Sequence, residues 1–147
     1  NTLFVPAVDW CTTFRKAAST PSFKQEDHYY GGSIAMDPFD KARGWLTAFD
    51  ASTGKVRWRY ASNTPMLAAV TTTAGNVVFT GDFNHDFLTL DATSGKVLYR
   101  FNTGGEVAGG VVTYSVRGKQ YVAAVSGYVS AFFKGSGPAG VTVFALP

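Results

Sequence analysis

A phrase is written twice in this chain: FDASTGKVRWRY at 49–60 and LDATSGKVLYRF at 90–101. The copies align without gaps. Asp50 falls on Asp91, Ala51 on Ala92, Gly54 on Gly95, Lys55 on Lys96, Val56 on Val97 and Arg59 on Arg100, a constant step of 41 residues. Trp58 falls on Tyr99 and Tyr60 on Phe101, so aromatic character is kept as well. A period of about 40 residues built from short strands is the signature of propeller blades.

Each copy reads as strand, turn, strand. WLTAFDA alternates, STGK turns and VRWRYA alternates again; DFLTLDA, TSGK and VLYRFN do the same. The glycine closing each turn is free to take φ > 0, as a hairpin loop of three to five residues requires. Between the copies, LAAVTTTAG (67–75) and NVVFTGDFN (76–84) are apolar, β-branched runs broken at Ala74-Gly75-Asn76. The pattern restarts with VAGGVVTYSVRG (107–118) and KQYVAAVSG (119–127), joined at Arg117-Gly118-Lys119, and GVTVFAL (140–146) supplies a third strand. The 16 glycines, 12 phenylalanines, 7 tyrosines and 3 tryptophans agree with an all-β chain, because aromatics fit pleated surfaces and glycines make turns.

The fold expected is therefore all-β, made of four-stranded antiparallel β-propeller blades. Residues 67–102 form one full blade. Residues 1–62 form a partial blade with a long insertion at 9–44, and 107–147 form a second partial blade, about two and a half blades in all. A ring needs about four blades to close, so the end blades are expected to be completed by the remaining blades of a larger protein or by a second copy. Asn1 is not an initiator, and NTLFVPAV reads as the middle of a strand; processing or a longer parent protein is expected. The insertion is longer than ordinary connections, which are short unless functional or disordered. Its HYYGGSIAM segment is apolar enough to pack, so a partly ordered loop across one face of the blades is expected.

Charge and cysteine narrow the function. The net charge of +3 comes from scattered basic residues, with no dense run of the kind that binds nucleic acid. Cys11 is the only cysteine, which excludes an intrachain disulfide, a thiolate zinc site and covalent haem attachment. No apolar run is long enough to span a membrane.

The motifs resemble those of a known family. AFDASTGKVRW resembles the tryptophan-docking motif of quinoproteins. VPAVDWC, TTTAGNVVFTGDFNHDFLTLDATSGKVLYRF, VTYSVRGKQYVAAVSG and VTVFALP are similar to the C-terminal blades of dehydrogenases that use pyrroloquinoline quinone (PQQ) to oxidise alcohols such as methanol and ethanol. The resemblance implies an eight-bladed propeller with the quinone on its axis beside a calcium ion. It implies an alcohol substrate, loss of a proton to an aspartate and of a hydride to the quinone, a cytochrome c acceptor and a periplasmic location. The family's catalytic aspartate and calcium ligands have no match here, so the resemblance implies no catalytic or metal-ligating residue in this chain, no cofactor held by it alone, and no activity of its own. It implies cofactor contacts at Trp10, matching the family's Asn-Trp, and at Asn84, His85 and Asp86, in a loop facing the axis.

Simpler readings stand beside these. Trp58 and Tyr99 are expected to pack blade against blade rather than touch a substrate. Asp82-x-Asn84-x-Asp86 opens like an EF-hand loop, but Phe87 replaces the required glycine and Thr93 the bidentate glutamate. His28 and His85 have no ligand spacing and are expected at the surface. No Ser-His-Asp grouping has support from spacing. GGEVAGG (104–110) lacks a P-loop ending and reads as a close-packed connection between blades. Cys11 is expected in a core. The rival to the dehydrogenase is a non-catalytic propeller of the same repeat acting as a protein-binding scaffold; the long insertion beginning at Trp10 favours the enzyme.

Overall fold

The aspartate of each repeat builds the turn that follows it. Asp50 Oδ1 accepts hydrogen bonds from the N–H groups of Ser52 (3.0 Å) and Thr53 (2.9 Å), and Asp91 Oδ1 from those of Thr93 (3.1 Å) and Ser94 (2.7 Å). The glycine N–H then donates back to the aspartate carbonyl at 2.8 Å in both copies. Gly54 and Gly95 take φ of 70° and 72°, the left-handed region where a side chain is disfavoured. Even the irregularity repeats: the register shifts between Ala48 and Phe49 and again between Thr89 and Leu90.

The computed structural model describes residues 1–127, 130, 132–133 and 135–145. The described strands form three antiparallel sheets and one separate hairpin. The first sheet has the order β1 (Thr2–Asp9), β4 (Arg43–Asp50), β5 (Val56–Ser62). The second runs β6 (Thr71–Thr72), β7 (Val77–Gly81), β8 (Asp86–Asp91), β9 (Val97–Asn102). The third runs β10 (Val111–Val116), β11 (Lys119–Ser126), β12 (Gly140–Ala145). Leu146 and Pro147, which the sequence reading placed in or after the last strand, lie outside the described residues.

The sheets stack face to face, with the second in the middle. Its residues alternate sides, as the two-residue period of a strand dictates. Val78, Leu88 and Leu90 meet Leu46 and Met66 on the side of the first sheet, with Trp58 and Tyr60 packed against them. Phe87 faces the other way and joins Val107, Val111, Val122 and Ala124. There it stacks on Phe144 of β12 with centroids 4.4 Å apart. Each fully buried leucine or phenylalanine is worth roughly 1.5–3 kcal/mol relative to exposure. Trp58 packs sheet on sheet as expected: its Nε1 donates to Ala92 O (3.0 Å), and its ring lies against Gly95. Tyr99 is more exposed and meets Phe144 edge-on at 6.2 Å.

Four expectations are corrected. The strand read over 67–75 shrinks to Thr71–Thr72. Residues before it drop between the sheets, where Met66 and Ala68 are buried and Ala69 N–H donates to Gly109 O instead of to β7. Likewise, 107–110 belongs to a connection and β10 starts only at Val111. The insertion is not a loop laid over the sheets. It forms its own hairpin, β2 (Thr12–Lys16) and β3 (Gly32–Met36), followed by a 3-10 turn at Phe39–Lys41. Among the described residues the hairpin is paired with no other strand, and Tyr29, Tyr30, Ile34 and Met36 are exposed. Cys11 is exposed too, since it sits where the chain leaves β1 for that hairpin.

Candidate functional site

Strand direction sorts the connections onto two ends. At one end lie the short turns 50–56, 72–77, 91–97 and 116–119. At the other lie the insertion between β1 and β4, the 81–86 loop between β7 and β8, the loop between β11 and β12, and the two crossings between sheets, 62–71 and 102–111. The insertion and the two loops occupy equivalent places in their sheets, joining corresponding strands. All the predicted site residues are on this second end.

Aromatic rings tie the three loops together. Trp10, just after β1, meets Phe39 of the 3-10 turn edge-on at 5.5 Å and Phe133 of the β11–β12 loop at 5.6 Å. Phe83 of the β7–β8 loop lies 6.3 Å from Phe39 and 5.5 Å from Phe133. Trp10 is oriented by its Nε1, which donates to Asp37 O at 2.8 Å.

The 82–86 loop is held by carboxylates. Asp82 is buried and accepts from Ser62 Oγ (2.8 Å), Asn84 N–H (3.0 Å) and Asp86 N–H (3.4 Å). Burial pushes its carboxyl pKa up, and the neighbouring Asp86 charge adds to the rise against those hydrogen bonds. Asp86 is buried as well, with its Oδ2 2.5 Å from Arg100 Nη1 and 3.3 Å from Asn84 Nδ2. Arg100 Nη2 also donates to Tyr60 OH at 3.1 Å, linking the second sheet to the first. Of the three predicted loop contacts, Asp86 thus spends its charge on Arg100 of β9, Asn84 is exposed, and His85 stands half-buried with φ of 65°.

His85 meets two residues that sequence reasoning missed. Its Nε2 lies 3.3 Å from Glu106 Oε1 and 3.3 Å from Ser136 Oγ. Ser136 donates its hydroxyl to the same Oε1 at 3.1 Å, and its N–H donates there too. Glu106 is 2% exposed. Burial raises its pKa, but these hydrogen bonds outweigh burial and the net displacement is below the ordinary 4.5. The trio contains the residue types of a nucleophilic triad without its geometry. A triad base offers one nitrogen to serine and the other to the carboxylate, whereas here both partners sit on Nε2. His28 is exposed and stacks on Tyr30. No cluster of three or more His, Cys, Asp or Glu side chains suited to a metal occurs among the described residues. No helix among them is long and apolar enough to cross a membrane.

The family model PQQ_2, described as outer membrane protein assembly factor BamB, matches residues 13–141. This chain belongs to the PQQ_2 family. Its curated relatives include a quinoprotein ethanol dehydrogenase from Pseudomonas aeruginosa, 35% identical over 126 residues that cover 85% of this chain and 20% of the relative. A lanthanide-dependent methanol dehydrogenase from Methylorubrum extorquens is 34% identical over 67% of this chain and 17% of its own length. The crystal structure of a quinohemoprotein alcohol dehydrogenase from Comamonas testosteroni superimposes with a TM-score of 0.80 at 25% identity, covering 98% of this chain and 24% of that one. The PQQ_2 chain thus spans about a fifth of the length of the relatives it matches. Its fold is that of the quinoprotein dehydrogenases, and the resemblance read from the repeats holds.

Of the residues the sequence left unmarked in this PQQ_2 chain, Glu106 had a signal. It is the only charge in GGEVAGG, a stretch whose glycines already indicated close packing. That packing is real: a Cβ at Gly105 would lie 2.7 Å from Pro138 O, and one at Gly81 would lie 2.4 Å from Val107. Phe39, Phe133 and Ser136 carry no local signal, because their partners lie far away in the sequence.

Proposed function

We propose that this chain builds part of the wall of a PQQ-dependent alcohol dehydrogenase, an eight-bladed propeller, and one side of its cofactor pocket. The carrying observation is the convergence of three equivalent loops at one end of the sheets, with Trp10 in the aromatic cluster that joins them. The residues fit one side of a planar, carboxylate-bearing quinone. Trp10 offers a ring for stacking, and the exposed Asn84 amide, next in sequence to Phe83 of the same aromatic cluster, offers a donor. When bound, the quinone supplies the two-electron oxidising chemistry, while the protein contributes position and electrostatics. Trp10 orients through Asp37, and the Asp86–Arg100 pair keeps the 82–86 loop in shape beneath Asn84 and His85. The catalytic aspartate, the calcium ligands and the contact with cytochrome c belong to other blades on this reading. The protein works in the periplasm, and this chain alone turns over no alcohol. Contact between Trp58 and the Gly95 turn is the docking interaction that sets one blade on the next.

The test is quinone absorbance titrated with calcium present, on this chain and on the same residues within a complete ring. Binding by the complete ring alone supports the proposal. Binding by neither favours the scaffold, the reading to which the assembly-factor description of the family model lends weight.

A further inference from the structure

The loop between β11 and β12 returns to the sheet through residues 135–139, an arm that buries little of its own surface. It lies backbone to backbone on the 104–106 crossing. A Cβ at Gly137, where φ is +86°, would sit 2.1 Å from Gly104 O, and one at Gly127 would sit 2.4 Å from Ala139 Cα. Close approach of two backbones leaves no room for apolar side chains between them, so polar bonds must hold the arm. One residue supplies them at both ends of the loop. Glu106 O accepts from Gly127 N–H at 2.9 Å, and Glu106 Oε1 accepts both donors of Ser136. His85, from the neighbouring sheet, reaches the same oxygen. Oε2 is buried with no hydrogen-bond partner among the described residues, so the bonds of this side chain are concentrated on one oxygen.

We propose that Glu106 is a positioning residue, latching the 135–139 arm to the 104–106 crossing and so fixing one edge of the axial site. That this edge matters for a quinone rests on the pocket reading above. The latch itself does not. A buried carboxylate is costly unless its bonds compensate it, and bonds to a charged acceptor are about twice as strong as neutral ones. The charge at this position is therefore used to hold a segment that packing alone does not.

Amide hydrogen exchange on the intact chain at neutral pH tests the latch. Glu106→Gln keeps the shape and loses the charge. Exchange at Ser136 is expected to quicken roughly tenfold or more, with Val122 and Ala124 of β11 unchanged. Ser136→Ala, which loses one donor, falls between, and Ser136→Thr, which keeps both, exchanges as the parent does. Equal Ser136 exchange in parent and Glu106→Gln overturns the proposal. So does parallel loss of protection in β11, since Glu106 would then merely hold the sheet. In a complete ring, Glu106→Gln is expected to weaken quinone binding several-fold; unchanged affinity removes its role at the site's edge. Failure of the parent ring to bind quinone refutes the pocket reading and leaves the exchange result standing.

Discussion

Gly54 and Gly95 close the same turn with the same backbone, φ of 70° and 72°, yet their surroundings differ. Nothing lies within 4 Å of a Cβ added at Gly54. A Cβ at Gly95 would meet Trp58 at Cε3 (2.5 Å) and Cδ2 (2.7 Å). Replacing either by alanine incurs the left-handed cost of an L-residue, about 1–2 kcal/mol. Only Gly95→Ala must also push away an indole ring that is tethered by its bond to Ala92 O and packed 5.6 Å from Phe4. Overpacking of that kind adds about 1–3 kcal/mol. Equilibrium urea unfolding of the two variants should therefore separate them by about 1–3 kcal/mol, with Gly95→Ala the less stable. The gap should close in a Trp58→Leu background, because the clash is then gone. Equal destabilisation by the two alanines, or a gap that survives in Trp58→Leu, would refute the claim that this turn is a docking surface for the neighbouring sheet.

Arg100→Ala should destabilise the chain by about 1–3 kcal/mol in the same assay, because it leaves the buried Asp86 carboxylate without its cation; a change under half of that would mean Asn84 suffices. Acid should weaken the turns. Asp50 is held well below the usual aspartate value of 3.8 by Arg57 and the Thr53 and Ser52 N–H groups, and Asp91 is lowered by Ser94. A carboxyl lowered in the folded state stabilises above its unfolded pKa, and that stabilisation is lost as pH falls through the folded value. Stability should decline below about pH 4, and Asp50→Asn combined with Asp91→Asn should flatten that decline; an unchanged acid limb would exclude these turns as its source. Cys11 is exposed and should react with a thiol reagent in the native protein as fast as in urea; protection released only by denaturant would return it to a core.

The repeat was legible from the sequence because everything that makes it is local. The aspartate bonds N–H groups two and three residues ahead, and the glycine four residues on closes the turn. Alternation in WLTAFDA and DFLTLDA then aims side chains at alternate faces, so antiparallel sheets and a propeller-type fold follow without knowledge of the remainder of the chain. Trp10 was marked by family resemblance alone, and the structure sets it among the converging loops. The rest depends on residues far apart in sequence. His85, Glu106 and Ser136 are joined across 21, 30 and 51 positions, and no local pattern encodes such a meeting. Apolar content alone suggested that 28–36 would pack and that 67–75 would be a strand. Among the described residues the hairpin instead pairs only with itself, and Ala69 gives its N–H to Gly109. Bonds between near neighbours form wherever the residues allow them, whereas the site exists only because three sheets bring their loops to one end.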